Sequence, residues 1–183
     1  TYKKHIMIQK LICALMMTSL LTPKILFDFN KKADTQQWFI VDDVVMGGRS
    51  SGNFSLSKEG YGVFEGNISL DNNGGFSSLR YNVQKTSVKE FTKISLKLKG
   101  DGKKYQLRIK ASNQDYHSYI MPFETSGEWE EIEISLQEMY PSYRGRILDM
   151  PTFANEYIEE LNFLIGNKKK EKFKLLLDKI ELK

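Results

Sequence analysis

The chain has 183 residues, 40% of them apolar and 12% aromatic, which is enough for one domain with its own core and too apolar for a disordered chain. Its formal charge of +4 lies at the start: Lys3, Lys4, Lys10 and Lys24 have no acid among them, and without those four the 27 basic residues fall to 23, equal to the 23 acidic ones. Residues 25–183 are therefore formally neutral, which excludes the clustered positive charge that nucleic-acid binding requires.

In chain order, the first segment joins those lysines to an apolar run at residues 11–21, followed by Pro23. A basic start and a short apolar stretch predict an export signal over residues 1–24. The run falls short of the roughly twenty residues that span a bilayer. Membrane contact is expected only through this segment, were it to stay uncleaved. A periplasmic or envelope protein is expected, with a cytoplasmic protein bearing an intact tail as the alternative. Cys13 is the sole cysteine, so residues 25–183 can form neither a disulfide nor a thiolate metal site.

Residues 26–30 read as a first strand. Residues 38–52 then open as an apolar β-branched run, meet Asp42 and Asp43, and break into Gly47-Gly48 followed by Ser50-Ser51. Residues 54–56 and 62–70 predict a hairpin around Glu59-Gly60. A second corner follows, Asn72-Asn73-Gly74-Gly75-Phe76, again with paired serines and then Arg80. Residues 94–99 and 105–111 alternate apolar and polar, which places one face on a core and the other in water. Residues 119–123 and 129–136 repeat this, with Ile132, Ile134 and Leu136 on one face and Glu130-Glu131 starting a solvated one. Residues 137–155, with Pro141 and Pro151, read as one long irregular stretch. Residues 161–165 and 173–182 close the chain as strands, with the charged run at 166–172 as a solvated hairpin tip. No helical period is sustained. About ten short strands predict an all-β antiparallel sandwich, one domain over residues 25–183.

The two glycine corners share a pattern of Gly-Gly followed by hydroxyls, which predicts two loops side by side at one end of the sandwich. The expected patch takes Asp42, Asp43, Met46, Gly47, Gly48 and Ser50 from the first and Asn73, Gly74, Gly75, Phe76 and Arg80 from the second. Adjacent acids on a strand point to opposite faces. One of them can therefore turn inward and accept hydrogen bonds from loop amides; a ligand or interface role is the other reading. The corners are not a phosphate loop, since no Gly-Lys-Ser/Thr follows. His117 is the only histidine of residues 25–183 and reads as a surface residue, so no histidine cluster and no triad pattern is available. No catalytic residue and no cofactor is expected. Trp38 and Trp129 are expected in the core. Tyr140 and Tyr143 are expected at the surface, where rings stack on sugars or serve as protein hot spots. Asp28 and Asp178, on the first and last strands, are candidates for sharing a calcium ion, which would need six or more oxygens.

Residues 38–52 and 72–80 resemble the complex I intermediate-associated protein 30 family. Tyr119, Phe123-Glu124-Thr125, Glu128-Trp129, the run Pro141-Ser142-Tyr143-Arg144-Gly145-Arg146 and residues 173–180 are also similar to it, so the resemblance covers most of residues 26–182. It implies a jelly roll like the galactose-binding domains, a group that includes noncatalytic carbohydrate-binding modules. It also implies a noncatalytic protein-interaction module, as in the mitochondrial members that assist assembly of complex I. A noncatalytic carbohydrate-binding module of the envelope is the alternative, so the expected partner is an unidentified protein or a glycan.

Overall fold

The computed structural model describes residues 22–183. The expected export signal lies outside this range except for its last three residues, and Lys24 already opens the first strand. The chain begins with β1 (Lys24–Asp28), β2 (Trp38–Asp42), β3 (Ser51–Leu56), β4 (Gly62–Ile68) and β5 (Ser77–Ser87). It continues with β6 (Lys93–Lys99), β7 (Lys104–Lys110), β8 (Ser118–Glu124) and β9 (Trp129–Ser135). The last four are β10 (Tyr140–Tyr143), β11 (Arg146–Ile147), β12 (Tyr157–Ile165) and β13 (Glu171–Leu182). Three short 3-10 turns are the only helical segments among the described residues.

The strands form two antiparallel sheets. One is six-stranded in the order β3-β4-β13-β6-β9, with β1 also on β13; the other is seven-stranded, β11-β10-β8-β7-β12-β5-β2. β13 organises the first sheet because its length serves three partners. β4 pairs with Glu171–Leu177, β1 with Lys179–Leu182, and β6 runs along Leu176–Leu182 on the opposite edge. The chain is an all-β jelly-roll sandwich, as expected.

Alternation places one face of every central strand between the sheets. Leu96 and Leu98 of β6 and Leu175 and Leu177 of β13 meet Leu107 and Ile109 of β7 and Leu161 and Phe163 of β12, all buried. Removing such side chains from water contributes about 1.5–3 kcal/mol each. Trp38 anchors one end of this core. It stacks on Tyr81 at a ring separation of 4.6 Å and packs against Phe27, Phe29 and Phe54.

Several expectations are corrected. Trp129 is not in the core: it is 39% exposed on the outer face of β9, resting on Tyr61 with ring centroids 4.6 Å apart. Its strand partner is Lys99, and both belong to the solvated side of the six-stranded sheet. His117 is buried, not at the surface, packed edge-on against Tyr116 and Tyr119, and neither ring nitrogen has a hydrogen-bond partner among the described residues. The stretch at 137–155 is not irregular throughout, since it supplies β10 and β11. The charged run at 166–172 is not a hairpin tip: it carries the chain from β12 in one sheet to β13 in the other. In each case the local pattern was compatible with two placements, and sheet membership chose between them.

Candidate functional site

The two glycine corners lie side by side at one end of the sandwich, and a single carboxylate holds them together. β2 ends at Asp42, and the chain turns through a 3-10 segment, Asp43–Met46. Asp43 is fully buried. Its Oδ1 accepts the Ser50 N–H at 2.9 Å, and its Oδ2 accepts Ser50 Oγ–H, the Gly75 N–H at 2.6 Å and the Phe76 N–H at 3.3 Å. Its backbone carbonyl takes the Gly48 N–H at 3.0 Å. Burial pushes the Asp43 carboxyl up, but the donors from Ser50, Gly75 and Phe76 outweigh it and hold the group below the usual carboxylate range. Asp42 turns the other way, accepting the Gly52 N–H at 2.9 Å and the Ser77 hydroxyl. The adjacent acids diverge because β2 ends between them, not through alternation along one strand, and each closes one connection between the corners.

The glycines divide the work. A Cβ on Gly48 would stand 2.3 Å from Asp43 Oδ1, and one on Gly74 2.5 Å from Asp43 Oδ2, so these two residues flank the carboxylate because nothing larger fits. Gly47 and Gly75 have φ of 90° and 137°, backbone that L side chains rarely adopt. Asn72 Nδ2 reaches across to the Gly47 carbonyl at 3.0 Å, and Asn73, exposed, continues the turn with φ of 59°.

What this buried network supports is apolar. Val44, Val45 and Met46 project from the turn, and Val45 is 73% exposed. Met46 was singled out from the sequence together with the corners; Val44 and Val45, equally exposed beside it, were not, because β-branched residues after a strand read as its continuation.

Arg80 does not join the corner. It lies three residues into β5, on the outer face of the seven-stranded sheet, with Nη1 3.7 Å from Glu160 Oε2. Tyr140 is on that same outer face, opposite Ile120 in β8. Tyr143, at the end of β10, meets the exposed Tyr116 edge-on at 5.2 Å and carries the Arg144 guanidinium over its ring. Arg108, Gln106 and Asn162, which share this face, were not singled out from the sequence; alternation placed Arg108 and Gln106 outside but could not show that they meet Asn162.

Asp178 sits at a bulge in β13 and pairs with Lys97 at 2.7 Å, while Asp28 is exposed on β1 opposite Lys179. Among the described residues no group of three or more His, Cys, Asp or Glu side chains is placed to hold a metal ion. No described helix is long and apolar enough to cross a membrane.

The family model for Complex I intermediate-associated protein 30 (CIA30) matches residues 27–177. The mouse protein named Complex I intermediate-associated protein 30, mitochondrial, is 21% identical over 178 residues, covering 85% of this chain and 54% of that protein. The Drosophila melanogaster protein of the same name is 22% identical over 147 residues, covering 68% of this chain and 50% of its own. The chain spans about half the length of the curated relatives it matches. Among solved structures, the sandwich is similar to the family 11 carbohydrate-binding module of Clostridium thermocellum in complex with a β-1,3-1,4-mixed-linked tetrasaccharide. That likeness has a TM-score of 0.65 at 20% identity, over 87% of this chain and 94% of the module.

Proposed function

The chain belongs to the Complex I intermediate-associated protein 30 family, and from that membership we propose that it is a noncatalytic protein-binding module of the assembly-factor kind. The observation that carries this reading is the tip formed by Val44, Val45 and Met46, exposed and consecutive on a turn that Asp43 locks from below. Scattered apolar residues at a surface are ordinary, whereas a contiguous apolar tip is what interfaces present. A preformed tip also lowers the ordering cost of binding. Chemical cross-linking and co-purification from the native host, comparing wild type with Val45→Asp, test this. A defined partner recovered with wild type and lost with the variant, at equal melting temperature, supports the reading; equal recovery with both overturns it. In the same reading residues 1–24 direct export and residues 25–183 are the single working domain. Fractionation with intact mass tests that, and a full-length cytoplasmic product overturns it.

A second reading rests on a different surface. The outer face of the seven-stranded sheet sets Gln106 and Arg108 between Phe39 and Tyr140, over a floor that includes the buried Asn162, a mix of planar donors and aromatic rings that suits sugar binding. The likeness to a carbohydrate-binding module supports a glycan ligand there. Affinity electrophoresis on polysaccharide gels tests it, with unretarded migration on every polymer as the refuting outcome.

A further inference from the structure

We infer that the outer face of the seven-stranded sheet takes a glycan bearing carboxylates, a uronic-acid polymer, with Arg80 and Arg108 as the groups that receive the carboxylate. This rests on the glycan reading above and specifies its ligand class.

One row of residues crosses the sheet in register. Phe39 stands opposite Arg80, Arg80 opposite Asn162, Asn162 opposite Arg108, Arg108 opposite Ile120, and Ile120 opposite Tyr140. Their chain neighbours Leu79, Phe163 and Leu107 are in the core, so the row faces outward. Five inter-strand steps make it about 24 Å long, with an aromatic ring at each end.

The charge on this row is unbalanced. The single carboxylate paired with either arginine among the described residues is that of Glu160, and its contact with Arg80 Nη1 is long at 3.7 Å. Arg80 Nε is buried and has no partner. Arg108 has no acidic partner among the described residues: its Nε and Nη2 both donate to Gln106 Oε1, at 3.0 and 2.7 Å. Lys110, on the same strand, directs its ammonium to the Asp115 carbonyl at 2.7 Å and brings no negative charge. Burial, with Arg80 beside it, pushes the Arg108 guanidinium down to about 10, so it remains charged at neutral pH. Two guanidiniums facing one carboxylate leave positive charge in a half-buried setting, where an unpaired charge is costly. A planar carboxylate fits the guanidinium fork and supplies the missing partner.

The floor of the row is built. Ser78 and Asn162 are both buried, and Ser78 Oγ donates to Asn162 Oδ1 at 2.9 Å, which leaves the Asn162 amide as a donor for a ligand oxygen. A glycan fits this face better than a peptide. Peptides bind sheets through exposed backbone at an edge, whereas here the backbone of the inner strands is committed to the ladder and only side chains are on offer.

The test uses the full chain in affinity electrophoresis and calorimetry against polygalacturonate, a neutral mixed-linked β-glucan and polyglutamate. Polygalacturonate should bind, more weakly as salt rises. Arg108→Gln should weaken that binding about tenfold or more, as expected for losing a charge-assisted pair. Arg80→Gln should weaken it as well and covers the case in which the Arg108 variant fails to fold. Binding to the glucan and not to polygalacturonate overturns this inference and leaves the glycan reading standing. Binding to neither overturns both. Polygalacturonate binding that is indifferent to both substitutions overturns the site, and equal arginine-dependent binding of polyglutamate overturns the choice of a glycan.

Discussion

The Gly75 N–H donates to Asp43 Oδ2 at 2.6 Å, across thirty-two residues of sequence. The same oxygen takes Ser50 Oγ–H and the Phe76 N–H. Asp43→Asn keeps the shape but offers one acceptor oxygen where two are in use, so at least one buried donor loses its partner or faces an NH2 group. Each such loss costs about 1–3 kcal/mol. The variant should be about 3 kcal/mol less stable, a fall in Tm of about 10 °C for a domain of this size. Scanning calorimetry at neutral pH measures it, and an unchanged Tm would refute the bridging role.

The same carboxylate sets a pH dependence. Burial raises its pKa, the donors from Ser50, Gly75 and Phe76 lower it more, and the folded value lies below the ordinary one. Its stabilising effect is therefore complete above the unfolded value of about 3.9 and is lost as pH falls through the folded value. The stability gap between wild type and Asp43→Asn should be constant from neutral pH down to about pH 5 and should shrink below about pH 4. Urea midpoints across that range provide the measurement, and a gap that widens in acid would contradict the sign.

Gly48 and Gly47 are adjacent but should respond differently to alanine. At Gly48 the new methyl meets the Asp43 carboxylate at 2.3 Å, whereas at Gly47 nothing lies within 4 Å and the penalty is torsional only. Gly48→Ala should cost about 2–4 kcal/mol, and Gly47→Ala about 1–2 kcal/mol. Gly74→Ala, at 2.5 Å from the other carboxylate oxygen, should group with Gly48→Ala. Equal urea midpoints for Gly47→Ala and Gly48→Ala would mean that the close approach is relieved at no cost.

The two tryptophans provide a control on the fold. Trp38 is 6% exposed and touches four aromatic neighbours within 5.5 Å, while Trp129 is 39% exposed beside Tyr61. Trp38→Ala should cost about 3–5 kcal/mol, and Trp129→Ala no more than about 1 kcal/mol. Comparable losses at the two positions would place Trp129 back in the core.

Much of the candidate site could be read from local pattern, because the corner glycines and the paired acids are adjacent in sequence and their constraints are local. Gly-Gly after an apolar run demands special backbone, and paired acids beside it offer acceptors for the loop amides. Which acid turns inward was not legible, since either Asp42 or Asp43 could have faced the corner until β2 was seen to end between them. Arg80 was assigned to the patch by proximity in sequence, yet three residues along a strand carry a side chain about 10 Å away and onto the other face. The Arg80–Asn162–Arg108 row was out of reach for the same reason: its members come from three strands whose order in the sheet no local pattern encodes.

The sequence by itself determined the class of fold, because period-2 alternation commits one face of each strand to a core and the absence of a helical period leaves no other way to bury it. It determined the neutrality of residues 25–183 and the special backbone of two glycine corners. Only the tertiary structure decided sheet membership, and with it the burial of His117, the exposure of Trp129, and the meeting of both corners on Asp43. The reason is physical. Alternation is a property of a strand and its own neighbours, whereas strand order and the approach of side chains from distant segments depend on how the two sheets pack, which is a property of the whole chain.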